Sequence, residues 1–171
     1  MSANTGRSVF VKYGASARVS SGVNDSDTAR YSTLMPTVFA FRHRVEVRFR
    51  DCDAMGHVNH AVYFTYLEQC RFAFWRQVTG RSAGPGAGII LARAECDYRA
   101  PAFFGEQLEV RVNVADIGRS SFTLVYEIVN AATDQRLAEA RTVLVAYDYS
   151  AGTSMPLAPE IRALLERARV E

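Results

Sequence analysis

Residues 61 to 79 constrain this chain more than any other stretch, because they spell a helix with little polar surface. Val62, Tyr63, Tyr66, Leu67, Cys70, Phe74 and Val78 recur at helical spacing, and Phe64, Phe72 and Trp75 add a second apolar stripe. A helix apolar on most of its circumference must be buried on most sides. Gly80 supplies its C-terminal stop. Whatever else the chain forms has to wrap this one rod.

The flanking segments alternate instead. "HRVEVRFR" (43–50) sets Val45, Val47 and Phe49 against charged neighbours and reads as a strand. Four more strands follow the helix. "GIILARAECDY" places Ala92, Ala94, Cys96 and Tyr98 on one side before Pro101 ends it. "EQLEVRVNVADI" aligns Leu108, Val110, Val112 and Val114, and "SFTLVYEIVN" aligns Phe122, Leu124, Tyr126 and Ile128. "LAEARTVLVAYDY" is the last and longest. The turns "GRSS" and "AATDQR" give hairpin spacing, hence an antiparallel sheet. "PEIRALLERARVE" carries Ile161, Leu164, Leu165 and Ala168 on one face, a short terminal helix with Pro in its first turn. The expected architecture is α+β, an antiparallel sheet wrapped around a long central helix with a short C-terminal helix.

One domain accommodates all of this in 171 residues. Residues 1–34, rich in Ser, Ala, Gly and Asn and without periodicity, read as a disordered N-terminal extension. Met35–Pro36 reads as an alternative start, so the folded domain is assigned to 35–171. A net charge of +2 and no basic run argue against nucleic acid as a partner. No apolar stretch is long enough to span a bilayer. Cys52, Cys70 and Cys96 are odd in number and unpaired by any C-x-x-C spacing, which fits reduced thiols in a cytoplasmic protein.

The stretch "DCDAMGHVNHAVYFTYLEQCR" (51–71) carries the chemistry. Gly56 permits a sharp turn, and a helix begins near Asn59 to Ala61. The first N–H groups of that helix lack intrahelical acceptors and sit at the positive end of the macrodipole. Such a terminus can hold a developing oxyanion. A carboxylate folded back over it, Asp53, can serve as base or nucleophile. Together they make a minimal acyl-transfer site suited to thioesters. Three other readings stay open on the residues alone. Asp51 or Asp53 can cap a turn; His57 and His60 with Asp53 and Cys52 can be read as metal ligands, though the spacing is not a metal motif; and Cys52 can be read as a nucleophile beside His57.

"RFRDCDAMGHVNHAVYFTYLEQCR" resembles the signature of hotdog-fold acyl-CoA thioesterases of the 4-hydroxybenzoyl-CoA thioesterase type, and "DYRAPAFFGEQLEV" and "GRSSFTLVYEI" are similar to that family's later strands. The resemblance spans about residues 42 to 150. It implies hydrolysis of an acyl-CoA to free acid and coenzyme A, with Asp53 as catalytic carboxylate and the His60 backbone N–H as the donor to the carbonyl. It also implies coenzyme A contacts from Arg119, Ser121 and Ser120 in the "GRSS" turn. Asn59 and Gly56 match loop-shaping positions. Glu68 matches the carboxylate that one branch of the superfamily uses, and an i, i+3 pairing with Arg71 is the structural reading of it.

Neither a metal nor a cofactor beyond the coenzyme A of the substrate is implied, and a homodimer or homotetramer is expected. Phe49 stands where some relatives have a Tyr, so a mechanism needing that hydroxyl is not carried over. An acyl-carrier-protein thioesterase and a non-catalytic acyl-CoA-binding hotdog are the competing functions.

Overall fold

Alternating and helical segments resolve into one antiparallel sheet curled around one helix in the computed structural model, which describes residues 38–81 and 88–170. The extension assigned to residues 1–34 lies outside the described residues. In chain order the elements are β1 (Phe41–Glu46), a 3-10 turn (Phe49–Asp51), α1 (His60–Thr79), β2 (Ile89–Tyr98), β3 (Gln107–Ile117), β4 (Ser121–Asn130), β5 (Arg136–Asp148), β6 (Thr153–Ser154) and α2 (Pro159–Ala168). The strands run β1-β3-β4-β5-β2, and the two-residue β6, absent from the sequence reading, pairs with β5.

α1 lies on the concave face because that is where its apolar residues find partners. Tyr63, Tyr66, Leu67, Cys70, Phe74 and Trp75 are buried against Leu108, Val110 and Val112 of β3 and the inward residues of β4 and β5. Trp75 stacks on Phe122 with ring centroids 6.0 Å apart. Asn59 caps the helix by accepting the Ala61 N–H at 3.0 Å, and Gly80 ends it at φ +67°, which an L side chain rarely adopts. Phe64 and Phe72 depart from the expectation of near-complete burial: both are exposed. α2 packs on α1 and β3 through Ile161 and Leu165.

Two local breaks alter the face assignments. β1 does not run to Arg50; pairing continues to Val47, whose N–H donates to Glu106 O, and the chain then tightens into the 3-10 turn. Phe49 therefore points to solvent, 80% exposed, rather than joining Val45 and Val47 in the core. In β2 the register shifts between Leu91 and Arg93. Leu91 pairs with the inward Leu144 and Ala94 with the inward Thr142, so Ala92 is the bulged residue and Leu91 takes the place on the inner face expected for it.

The convex face carries a ladder of charges: Arg111 pairs with Glu109, Glu127 and Asp134, Arg136 with Glu127 and Glu139, and Arg99 with Glu139 and Asp97. Long Arg stems lie over the sheet while their head groups satisfy the buried Glu127 and Glu139.

Candidate active site

The motif loop is a small hairpin. Asn59 N–H donates to Asp51 O at 2.9 Å, Cys52 and Val58 form an antiparallel bridge, and Asp53 N–H donates to His57 O at 3.0 Å. Gly56, at φ +83°, closes it with its N–H on Asp53 O. The hairpin returns the chain so that α1 starts one residue past the Asp51–Asn59 bond. Val58 N–H anchors the returning limb on Ala102 O.

The two aspartates have opposite surroundings. Asp51 is buried, and its Oδ2 accepts from the Tyr66 hydroxyl at 2.9 Å, from Arg48 Nε at 3.1 Å and from Arg48 N–H at 2.9 Å. Its Oδ1 accepts from Arg48 Nη2 at 2.9 Å. Burial pushes the Asp51 carboxyl up, but the Arg48 fork, the Arg48 amide and the Tyr66 hydroxyl outweigh it and hold the group below the usual range. Asp51 is a saturated structural carboxylate.

Asp53 is partly exposed. Its Oδ1 accepts the Met55 N–H at 2.9 Å, an Asx turn. Its second oxygen has no partner among the described residues. His57 Nδ1 lies 4.0 Å from Asp53 Oδ1 and 3.3 Å from Val58 O. His60 is the first residue of α1, so its N–H has no acceptor within the helix, and its exposed side chain faces solvent. The Tyr98 hydroxyl donates to His60 O at 2.9 Å and ties the helix start to the end of β2, a contact that sequence reasoning did not anticipate.

Arg119, Ser120 and Ser121 sit elsewhere. Glu46, just before the motif loop, pairs with Gln107 at the start of β3, whereas the "GRSS" turn follows Ile117 at its end. Eleven strand residues separate the two ends by roughly 30 Å. Within one chain the structure does not bring the turn to Asp53. Arg119 is exposed there, its carbonyl accepting the Leu157 N–H at 3.0 Å, while Arg162 Nη2 holds Gly118 O.

The other candidates fall into place around this loop. Glu68 is exposed and lies 3.5 Å from Arg71. Among the described residues no group of three His, Cys, Asp or Glu side chains converges as a metal site. Cys70 is buried, with its Sγ on Val110 O, and burial pushes its thiol up to about 12.

Comparison with known proteins gives the family and the fold. Residues 47–165 match the Thioesterase-like superfamily, and the chain belongs to it. That membership and the hotdog sheet place the chain in the thioesterase-like class. The uncharacterized protein YsmA of Bacillus subtilis is 32% identical over 53% of this chain, and the match spans 61% of YsmA's length. The acyl-CoA thioester hydrolase YbgC of Escherichia coli is 29% identical over 63% of this chain and 82% of its own. Among solved structures, a Thermus thermophilus thioesterase complexed with coenzyme A and Zn superposes with a TM-score of 0.68 at 31% identity, covering 78% of this chain and 96% of that one.

Proposed function

We propose that the protein hydrolyses acyl-CoA thioesters to a free acid and coenzyme A, with Asp53 as the reacting carboxylate. The observation that carries this reading is the division of labour in the loop. Asp51 is locked by Arg48 and Tyr66, while Asp53 keeps one oxygen open beside the start of a 20-residue helix. The thioester carbonyl oxygen lies at the His60 N–H, where the helix dipole and an unmet donor stabilise negative charge; one such preorganised donor is worth about 3 to 4 kcal/mol.

In the base form of the reaction, Asp53 takes a proton from water as the hydroxide oxygen bonds to the acyl carbon. The C–S bond then breaks, and the coenzyme A thiolate takes up a proton. In the nucleophile form, an Asp53 oxygen bonds to the acyl carbon, the C–S bond breaks, and the coenzyme A thiolate leaves and takes up a proton. Water then cleaves the resulting mixed anhydride to the free acid and the Asp53 carboxylate. Label found in Asp53 after a single turnover in ¹⁸O-labelled water identifies the anhydride route, with water attacking the aspartyl carbon.

The assembled site takes two copies. β2 is an edge strand with Ile90 and Leu91 exposed, and an exposed edge of that kind invites pairing. Antiparallel pairing of two β2 strands about a twofold axis turns the second sheet end for end. The partner's turn at Arg119 then arrives at the end of the sheet that carries Asp53. Arg119 serves the coenzyme A phosphates there by forked donation.

The deciding experiment is thiol release from short, medium, long and aromatic acyl-CoAs, and from the same acyl groups on acyl-carrier protein, by wild type and Asp53→Asn. Turnover of the coenzyme A esters that collapses in Asp53→Asn supports the reading. Hydrolysis only on the carrier protein selects the alternative donor, and binding with no hydrolysis overturns the enzyme.

A further inference from the structure

The seam between α1 and the edge strand β2 opens into a cavity of about 190 Å³ that the mechanism above does not use. Its lining steps down one face of α1 from the helix start: Phe64 lies one turn beyond His60, Glu68 the next, and Arg71 the next. Across the seam stand Leu91 of β2 and Thr142 of β5. The β2 bulge is what makes this wall, because it turns Leu91 inward beside Ala94. One end of the seam is fixed at the catalytic loop by the Tyr98–His60 bond.

The far end of the cavity is polar. Arg71 is buried at 6% exposure on the inward face of α1. Its ion-pair partner, Glu68, is half in water with Oε1 3.5 Å away. The second partner of Arg71 is the Tyr126 hydroxyl, toward which the guanidinium donates a hydrogen bond. Thr142, itself buried, shares a 3.1 Å hydrogen bond with the Tyr126 hydroxyl. The Arg71 charge is felt at that same phenol, where it opposes the rise that burial causes. Arg71 and Thr142, with Tyr126 behind them, therefore face a cavity whose apolar lining includes Phe64, Leu67 and Leu91. Apolar walls over a few convergent polar groups are the composition of a ligand pocket.

Length sets the ligand. Arg71 is eleven residues beyond His60, roughly 16 Å along the axis, and a helical side chain leans back toward the N-terminus. An extended alkyl chain advances about 1.25 Å per bond, so about ten bonds cover roughly 12 Å of that span and the Arg71 side chain, leaning back, covers the rest. We infer that this cavity receives the distal end of the acyl group, and that Arg71, with Thr142 beside it, selects chains ending there in an acceptor oxygen, a hydroxyl or a carboxylate. The inference rests on the acyl-CoA reading of the Asp53 loop. It names Arg71 as a specificity-determining residue that touches substrate far from the reacting carbon.

The test compares decanoyl-CoA with its ω-hydroxy and ω-carboxy forms on wild type, Arg71→Met and Thr142→Val, with folding checked by circular dichroism. Wild type is expected to favour at least one oxygenated ester by about tenfold in kcat/KM, carried mainly by KM, and Arg71→Met to bring that ratio near unity. Which oxygenated ester gains shows whether the site takes a neutral or an anionic end. No preference in wild type, or a preference that survives Arg71→Met, overturns the inference.

Where Arg71→Met does not fold, Thr142→Val must lower the same ratio, and an unchanged ratio overturns it. Calorimetric binding of non-hydrolysable thioether analogues of the three chains separates this inference from the hydrolase reading. Oxygenated analogues bound more tightly by wild type but not by Arg71→Met sustain the cavity assignment even where no ester is turned over. Hydrolysis without any preference defeats the cavity alone.

Discussion

The Tyr66 hydroxyl donates to Asp51 Oδ2 at 2.9 Å across fifteen residues, joining the middle of the buried helix to the loop in front of it. Arg48 grips the same carboxylate from the other side. Loop and helix are thereby one rigid unit, and the open carboxylate of Asp53 is held in place by the closed one of Asp51. Tyr66→Phe leaves a buried carboxylate short of a donor. The expected cost is about 1.5 to 3 kcal/mol, read from urea unfolding, with a fall in turnover as the loop loosens. A variant as stable as wild type would remove this brace from the account.

Acid should act through the same group. The Asp51 pKa in the fold lies below that of the unfolded chain, near 3.9. As pH falls, the unfolded chain takes up the proton first, so the stabilisation is complete above that unfolded value and is lost as pH drops through the folded one. Asp51→Asn should flatten the acid limb of a stability-against-pH curve and lower stability at neutral pH. An unchanged acid limb in Asp51→Asn would assign acid unfolding to other carboxylates.

Asp53→Asn should separate from both. Its side chain is partly exposed and makes one hydrogen bond, to Met55 N–H, which an amide oxygen also accepts. The melting temperature is therefore expected to stay near wild type while kcat falls by about 10² to 10⁴. Loss of activity accompanied by unfolding would make Asp53 a structural residue instead.

The five long strands, both helices and the Gly80 stop were legible because hydrophobic period and Gly80 point the same way locally, whereas Asn59, read as a loop-shaping position, proves to be the N-cap. The motif loop was legible through resemblance, while the residues alone left capping, metal and thiol readings open. Three features escaped because they depend on partners distant in sequence. Phe49 alternates with Val45 and Val47 as a core residue, yet Glu106 and Gly105 end the pairing at Val47 and the 3-10 turn swings the ring outward. The β2 bulge is invisible in "IILARAE", since every residue there tolerates either face. Arg71 read as half of a surface ion pair; only the fold sets it over Tyr126 and Thr142. An Arg inside an otherwise apolar run was the available signal.

Thiol chemistry gives an independent check on the loop. Burial pushes Cys70 up to about 12 and Cys96 up to about 11. The thiolate is the reactive form, so native protein at pH 8 should show both thiols inert to iodoacetamide and reactive only in denaturant. Cys52→Ser should retain turnover, because the proposed mechanism runs through Asp53. Loss of activity in Cys52→Ser without loss of fold would revive the cysteine nucleophile.

Assembly offers the last test, because Arg119 and Asp53 lie at opposite ends of one sheet. Light scattering should give at least twice the chain mass. Lysine at Ile90, on the exposed edge of β2, should weaken association and make activity depend on protein concentration. Arg119→Ala should raise KM for coenzyme A esters with little change in kcat, as loss of a phosphate contact remote from the reacting carbon does. Mixing then distinguishes one chain from two. Asp53→Asn and Arg119→Ala homomers are each impaired, but an exchanged heterodimer holds one site with both residues intact only where Asp53 and Arg119 come from different chains. Activity regained on subunit exchange supports the shared site. Exchange verified by mass spectrometry with no regain would place both residues' work within a single chain, against the separation seen here.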